Sequence, residues 1–251
     1  MKLLFVILII AVIIAVVAFY GPRIRRAFVN TVPLHDVTDQ FPKEYTVGDP
    51  SNPVLNYVAL GDSTAYGVGA STLEHTYPYG IATVLAERGY FVHVRNTGRS
   101  GARLEEVVNT QFGLVPEQTD VLSISIGGND ATHLTNAANY RSLIGQLTTK
   151  LTVSGIPAIM IASTTDMALT PSIPPVANTV VGIWVERQNR EMQPAVEGIG
   201  ASYVNLFKDG KLDKPELYAS DEFHPGDLGY AKWAPLFREA TLSQLTKIPK
   251  K

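Results

Sequence analysis

From residue 57 onward, short apolar runs alternate with longer stretches of helical periodicity. The runs Tyr57–Leu60, Phe91–Arg95, Val121–Ile126, Ala158–Ala162 and Tyr203–Phe207 read as strands. Helices are expected near Tyr77–Arg88, Leu104–Phe112, Tyr140–Val153, Val180–Val196 and Leu228–Leu245. A helix after every strand is the signature of a parallel sheet covered on both faces. Ligands of such sheets bind beyond the carboxyl ends of the strands.

Two segments precede this alternation. Leu3–Tyr20 runs without a charge or a proline, and as a helix would span ~27 Å, close to the ~30 Å hydrocarbon core of a bilayer. Residues 1–20 therefore read as a transmembrane anchor, or as a signal peptide with Val16-Val17-Ala18 as its cleavage site. Arg23, Arg25 and Arg26 follow the segment, and counting positive charges would keep that side in the cytoplasm. Its position at the start of the chain instead resembles an export signal, so the domain is expected outside the cytoplasm, and secreted if the segment is cleaved. Residues 21–54, broken by Pro22, Pro33, Pro42, Pro50 and Pro53, read as a stalk or linker that partly packs on the domain. Residues 55–251 form the domain itself.

Composition narrows the function classes. The 251 residues are 45% hydrophobic and 18% charged, which suits a globular α/β domain with added apolar sequence. Net charge is −2 with only a short basic cluster near the N-terminus, so nothing supports a nucleic-acid partner. Cysteine is absent. That excludes disulfides, thiolate metal sites and a cysteine nucleophile.

The residues that end the strands carry reactive chemistry. "YVALGDSTAYGVGAS", residues 57–71, delivers Ser63 on a glycine-rich turn. The next strands end in "NTGRSGA" (residues 96–102) and "GGND" (residues 127–130), and "DEFHPGDLGY" (residues 221–230) precedes the last helix. A serine hydroxyl becomes a competent nucleophile when a neutral histidine takes its proton. A carboxylate then fixes the histidine tautomer and stabilises the imidazolium. Asp221 and His224, three apart beside Pro225, can supply that pair. The backbone N–H groups of Ser63 and Gly98 and the side chain of Asn129 are candidate donors for an oxyanion.

Other readings of these residues are plainer. Ser63 in isolation would be a turn residue capping a helix, and "GVGAS" lacks the Lys-Ser/Thr of a phosphate-binding loop. Asp62 and Asp130 are expected to hydrogen-bond their own loops. Asp221, His224 and Asp227 could be metal ligands, but no second ligand cluster accompanies them and no metal is expected. His35, His75, His93 and His133 have no suitably spaced acid. The apolar, proline-rich stretch 163–184 is either a packed loop or one wall of an acyl or leaving-group pocket.

Together these blocks resemble the SGNH, or GDSL, hydrolase superfamily. "GDS" carries Ser63, "NTGRSG" carries Gly98, "GGND" carries Asn129, and "DEFHP" carries Asp221 and His224, in family order over about 165 residues. The resemblance implies a flavodoxin-like three-layer α/β/α fold with a five-stranded parallel sheet in the order 2-1-3-4-5. It implies a catalytic Ser63, Asp221 and His224, an oxyanion hole of Ser63, Gly98 and Asn129, and no cofactor. One departure is Gly226 after His-Pro, where relatives often carry a helix-capping serine; Asp227 is expected to take over the cap. The implied activity is hydrolysis of carboxylic esters through an acyl-enzyme intermediate, on lipids, lysophospholipids or small acyl esters. An O-acetyl esterase or acyltransferase of envelope glycan is the alternative, and a weakly catalytic glycan-binding or scaffold protein is the alternative of another class. The expected partners are an ester substrate, lipid or envelope glycan, and a membrane through the N-terminal helix.

Overall fold

The computed structural model describes residues 40–248. The expected anchor at Leu3–Tyr20 and the stalk up to residue 39 lie outside the described residues. Among the described residues no helix is long and apolar enough to cross a membrane.

The strands are β1 (Glu44–Val47), β2 (Val54–Gly61), β3 (Phe91–Asn96), β4 (Val121–Ser125), β5 (Ala158–Ala162) and β6 (Ser202–Val204). They form one sheet in the order β1-β3-β2-β4-β5-β6. The five strands foreseen from the apolar runs are parallel to one another and in the implied order, with β2 central. The expectation of a purely parallel five-stranded sheet is corrected at one edge. There Glu44–Val47, within the stretch expected to be stalk, pairs antiparallel with β3 as a sixth strand. Its alternation of half-buried Tyr45 and Val47 with exposed Glu44 and Thr46 is only four residues long and stands among prolines. So short a pattern becomes a strand only because β3 offers it an unpaired edge.

Both faces of the sheet are covered, and β2 shows why. Leu55, Tyr57 and Ala59 point into one core, where α2 (Tyr77–Ala86, preceded by the short α1, Ser63–Tyr66) meets the C-terminal helix, Asp227–Gln244. Tyr77 of α2 stacks on Phe237 of that helix at 4.2 Å between ring centroids. Val58 and Leu60 point into the second core, formed with α3 (Leu104–Asn109), α5 (Ala137–Ser154, after the short α4, Gly128–Thr132) and α6 (Pro175–Gly198). The C-terminal helix is α7. Alternation of side chains along a strand sends successive apolar residues to opposite faces, so a continuous apolar run buries both. Each fully buried leucine or isoleucine contributes about 1.5–3 kcal/mol to this packing.

Candidate active site

Ser63 follows β2 at a turn that the surrounding backbone dictates. Gly61 has φ +135°, and a β-carbon there would lie 1.9 Å from the Ser125 carbonyl oxygen, so no larger residue fits. The buried amide of Gln111 clamps the same residue. Its Oε1 accepts the Gly61 N–H at 2.8 Å and its Nε2 donates to the Gly61 carbonyl at 2.9 Å. Asp62 caps α1, its Oδ1 accepting from the Thr64 N–H (2.9 Å) and the Thr64 hydroxyl (2.8 Å). This is the loop-holding role expected of it. Burial pushes the Asp62 carboxyl upward, against the hydrogen bonds from Thr64 and the nearby His224. The amides on either side of Ser63 are engaged, Asp62 N–H by Ser125 and Thr64 N–H by Asp62. Among the described residues the N–H of Ser63 itself has no such partner.

The loop before α7 presents the base. Ala219 N–H bonds the His224 carbonyl at 2.8 Å, and Tyr218 bridges Pro225. Glu222, at φ +55°, turns the chain in the left-handed region, a local strain of about 1–3 kcal/mol. The turn folds the Asp221 carboxylate back on its own loop, where Oδ1 accepts from the N–H groups of Phe223 and His224, both at 2.9 Å. Its Oδ2 lies 2.6 Å from His224 Nδ1, and His224 Nε2 lies 2.9 Å from Ser63 Oγ. Because a carboxylate only accepts, Nδ1 carries the proton and the Nε2 lone pair faces the serine hydroxyl. Burial alone would raise the Asp221 carboxyl. The hydrogen bonds from the His224 ring and from the two amides outweigh that and hold it well below the usual carboxylate range.

Of the expected oxyanion donors, Gly98 has its N–H engaged. Its N–H donates to Asn96 Oδ1 at 2.9 Å, so the donor is committed within its own loop. Gly98 is glycine for another reason: a β-carbon there would sit 2.6 Å from the Tyr66 backbone nitrogen. A second glycine of this loop, Gly101, has its donor unengaged. Its N–H has no hydrogen bond among the described residues, its φ is +77°, and the side of its Cα where a side chain would project is open space. A signal for this lay in "NTGRSGA". Asparagine two residues before a glycine is Asx-turn spacing, which claims the first glycine's N–H. Asn129 is almost fully buried and donates one amide hydrogen to the Ala102 carbonyl at 3.0 Å, which sets its second toward the cleft it shares with Ser63. Beside it Asp130 accepts from Leu104 N–H (2.8 Å) and Thr135 Oγ1 (3.0 Å), lacing "GGND" to the start of α3. Burial pushes its carboxyl up to about 6 despite those bonds.

Asp227 does not cap α7. Gly226 holds the cap position, and the Asp227 carboxylate instead accepts from Ser71 N–H (2.8 Å) and Ser71 Oγ (2.6 Å), with His75 Nδ1 at 3.0 Å. It thereby straps the serine loop to the base loop, and gives His75 an acid that sequence distance concealed. His133 Nδ1 lies 2.8 Å from the Asn129 carbonyl. From the stretch 163–184, Ser163, Thr164, Thr165, Met167 and Thr170 line the cleft that contains Ser63, while Pro175 onward is helix. Among the described residues no group of three or more metal-ligating side chains converges.

A doubly covered α/β sheet with serine, histidine and aspartate hydrogen-bonded in series beyond its strand ends defines a recognisable class of fold and site. Residues 59–232 match the GDSL-like Lipase/Acylhydrolase family, and the chain belongs to that family. It is similar to a lipase of Streptomyces rimosus, 33% identical over 115 residues that cover 43% of this chain and 42% of that one. The chain thus spans less than half the length of the curated relatives it matches. The fold is like that of the extracellular lipase of Streptomyces rimosus, with TM-score 0.53, 22% identity and coverage of 74% of this chain and 99% of that one. It is also like that of the lipase Lip_vut3 from a goat rumen metagenome, with TM-score 0.61, 21% identity and coverage of 74% and 97%.

Proposed function

We propose that the chain is a serine hydrolase of carboxylic esters that works through an acyl-enzyme. The observation that carries this reading is the unbroken series Ser63 Oγ, His224 Nε2, His224 Nδ1, Asp221 Oδ2, at 2.9 and 2.6 Å. Ser63 Oγ attacks the ester carbonyl carbon while its proton passes to His224 Nε2. Asp221 holds the ring in its reactive tautomer and stabilises the imidazolium. The carbonyl oxygen, now an oxyanion, is received by the N–H groups of Ser63 and Gly101 and by Asn129 Nδ2. Collapse breaks the ester C–O bond, and the proton on His224 goes to the departing alkoxide. Water then attacks the acyl-serine, gives its proton to His224, and the acid leaves as that proton returns to Ser63.

The activity of relatives described as lipases supports the same reaction type. The uncharged stretch Leu3–Tyr20 supports a domain tethered at a membrane. A fluorophosphonate probe should label Ser63, and Ser63→Ala should abolish both labelling and ester turnover. Turnover that survives in Ser63→Ala overturns the reading. For the tether, the full chain should sediment with membranes and resist extraction by high salt.

A further inference from the structure

The cleft at Ser63 does not end at the surface. It continues inward between the ends of β4 and β5 and the side of α7, against Ile126, Met167, Leu206, Leu212 and Trp233. None of these five is more than 5% exposed. The polar groups along the same walls already have partners. Thr64 Oγ1 is bonded to Asp62 and lies 2.7 Å from Ser125 Oγ. Ser163 Oγ accepts the Phe207 N–H, Thr164 Oγ1 donates to the Ile126 carbonyl, and Thr165 Oγ1 and Trp233 Nε1 both donate to the Gly210 carbonyl. A guest therefore meets a mostly apolar surface, where a hydroxylated guest finds few unengaged partners to replace its hydrogen bonds to water. The whole cleft, from Ser63 and Asn129 inward to Trp233, measures ≈ 50 Å³, so the reacting carbonyl group shares this space. At ~10–15 Å³ of such space per water-sized group, it holds about four carbon-sized groups.

An ester bound at Ser63 has two arms to place. The alcohol arm must depart before water enters, whereas the acyl arm stays through both half-reactions. A recess closed by Trp233 suits the arm that stays. The open side of the cleft, beside Ser63 and Asn129, suits the arm that leaves. We infer that the recess is the acyl subsite and that it fits the enzyme to esters of short, unbranched acids of about two to four carbons, with Met167 and Trp233 setting the limit. This rests on the ester-hydrolase reading and specifies its substrate class.

The test uses the full chain and p-nitrophenyl esters from acetate to decanoate. Values of kcat/KM should rise about fourfold for each added methylene that finds room. They should fall tenfold or more once the chain outgrows the recess, beyond butyrate. Met167→Ala should move that limit to longer acids, and Met167→Phe should move it toward acetate. Acetates of alcohols of increasing length should show no such limit. A profile that climbs through decanoate, a limit that ignores both Met167 variants, or a limit that follows the alcohol instead overturns the acyl assignment while Ser63 still reacts with a fluorophosphonate. Absence of both labelling and turnover removes the ester-hydrolase reading itself, and the subsite with it.

Discussion

The loop bearing His224 and the loop bearing Gly101 both border the turn of Ser63, yet they are built in opposite ways. The His224 loop supports itself. Asp221 receives its three hydrogen bonds from residues two and three positions away, and the Ala219–His224 and Tyr218–Pro225 contacts close the same short turn. The Gly101 loop depends on distant partners. Asn96 reaches the Ala65 carbonyl across 31 residues, Ala102 is held by Asn129 across 27, and Leu104 by Asp130 across 26. The two carboxylates record the difference. Asp221 collects enough donors to overcome burial and is held low, whereas Asp130 has fewer and is pushed up to about 6. A self-contained loop orients a group that must stay aligned while protons move. A loop laced to two distant segments has its backbone donors aimed by contacts that its own sequence does not contain.

Removing Ser63, or the His224 that the first loop holds against it, should have the largest effect. Ser63→Ala and His224→Ala should each lower kcat by about 10⁴-fold or more with the melting temperature nearly unchanged. Near-normal kcat in either variant would show that the series is not the reacting one.

The residue that holds the second loop from a distance should matter less. Asn129→Ala is expected to lower kcat by ~10²–10³-fold with little change in KM, since its hydrogen bond matters most in the transition state. A rise confined to KM would make Asn129 a substrate-binding residue instead.

The two glycines of the same loop should separate stability from chemistry. Gly98→Ala drives a methyl into the Tyr66 backbone and should cost about 2 kcal/mol or more in denaturant titration. Gly101→Ala meets no atom but adopts a positive φ, so about 1 kcal/mol is expected, together with a fall in kcat. Equal kcat in Gly101→Ala and the parent enzyme would remove Gly101 from the oxyanion site.

The smallest effects concern pH. Asp130 has a folded pKa raised to about 6, above its ordinary value near 3.9. Its contribution to stability is therefore full below pH ~3.9 and declines as pH rises through about 6, by about 3 kcal/mol in total. Asp221 has the opposite sign: its contribution is present above pH ~3.9 and is lost as pH falls through its depressed folded value. Melting curves of Asp130→Asn should lose the decline between pH 4 and 6, and those of Asp221→Asn should lose part of the acid limb below pH 4. Parallel pH profiles for the two variants would mean that the two carboxylates do not differ as described.

What the sequence determined by itself was whatever has a short-range cause. The five parallel strands followed from apolar runs, and their helices from a second periodicity. The Asp221–His224 pair followed from a three-residue spacing, and Ser63 and Asn129 from motifs that sit at strand ends. What only the tertiary structure decided has its cause elsewhere in the chain. Glu44–Val47 is a strand because β3 has a free edge. Gln111 grips Gly61 from 50 residues away, and Asp227 straps Ser71 rather than capping its helix. The Gly98 N–H is engaged because the Asn96 side chain takes it, while that of Gly101 has no hydrogen bond among the described residues. A local pattern reports which residues are apolar and which can donate or accept. Which donor stays unengaged and how deep a pocket runs depend on the atoms that packing brings in from far along the chain.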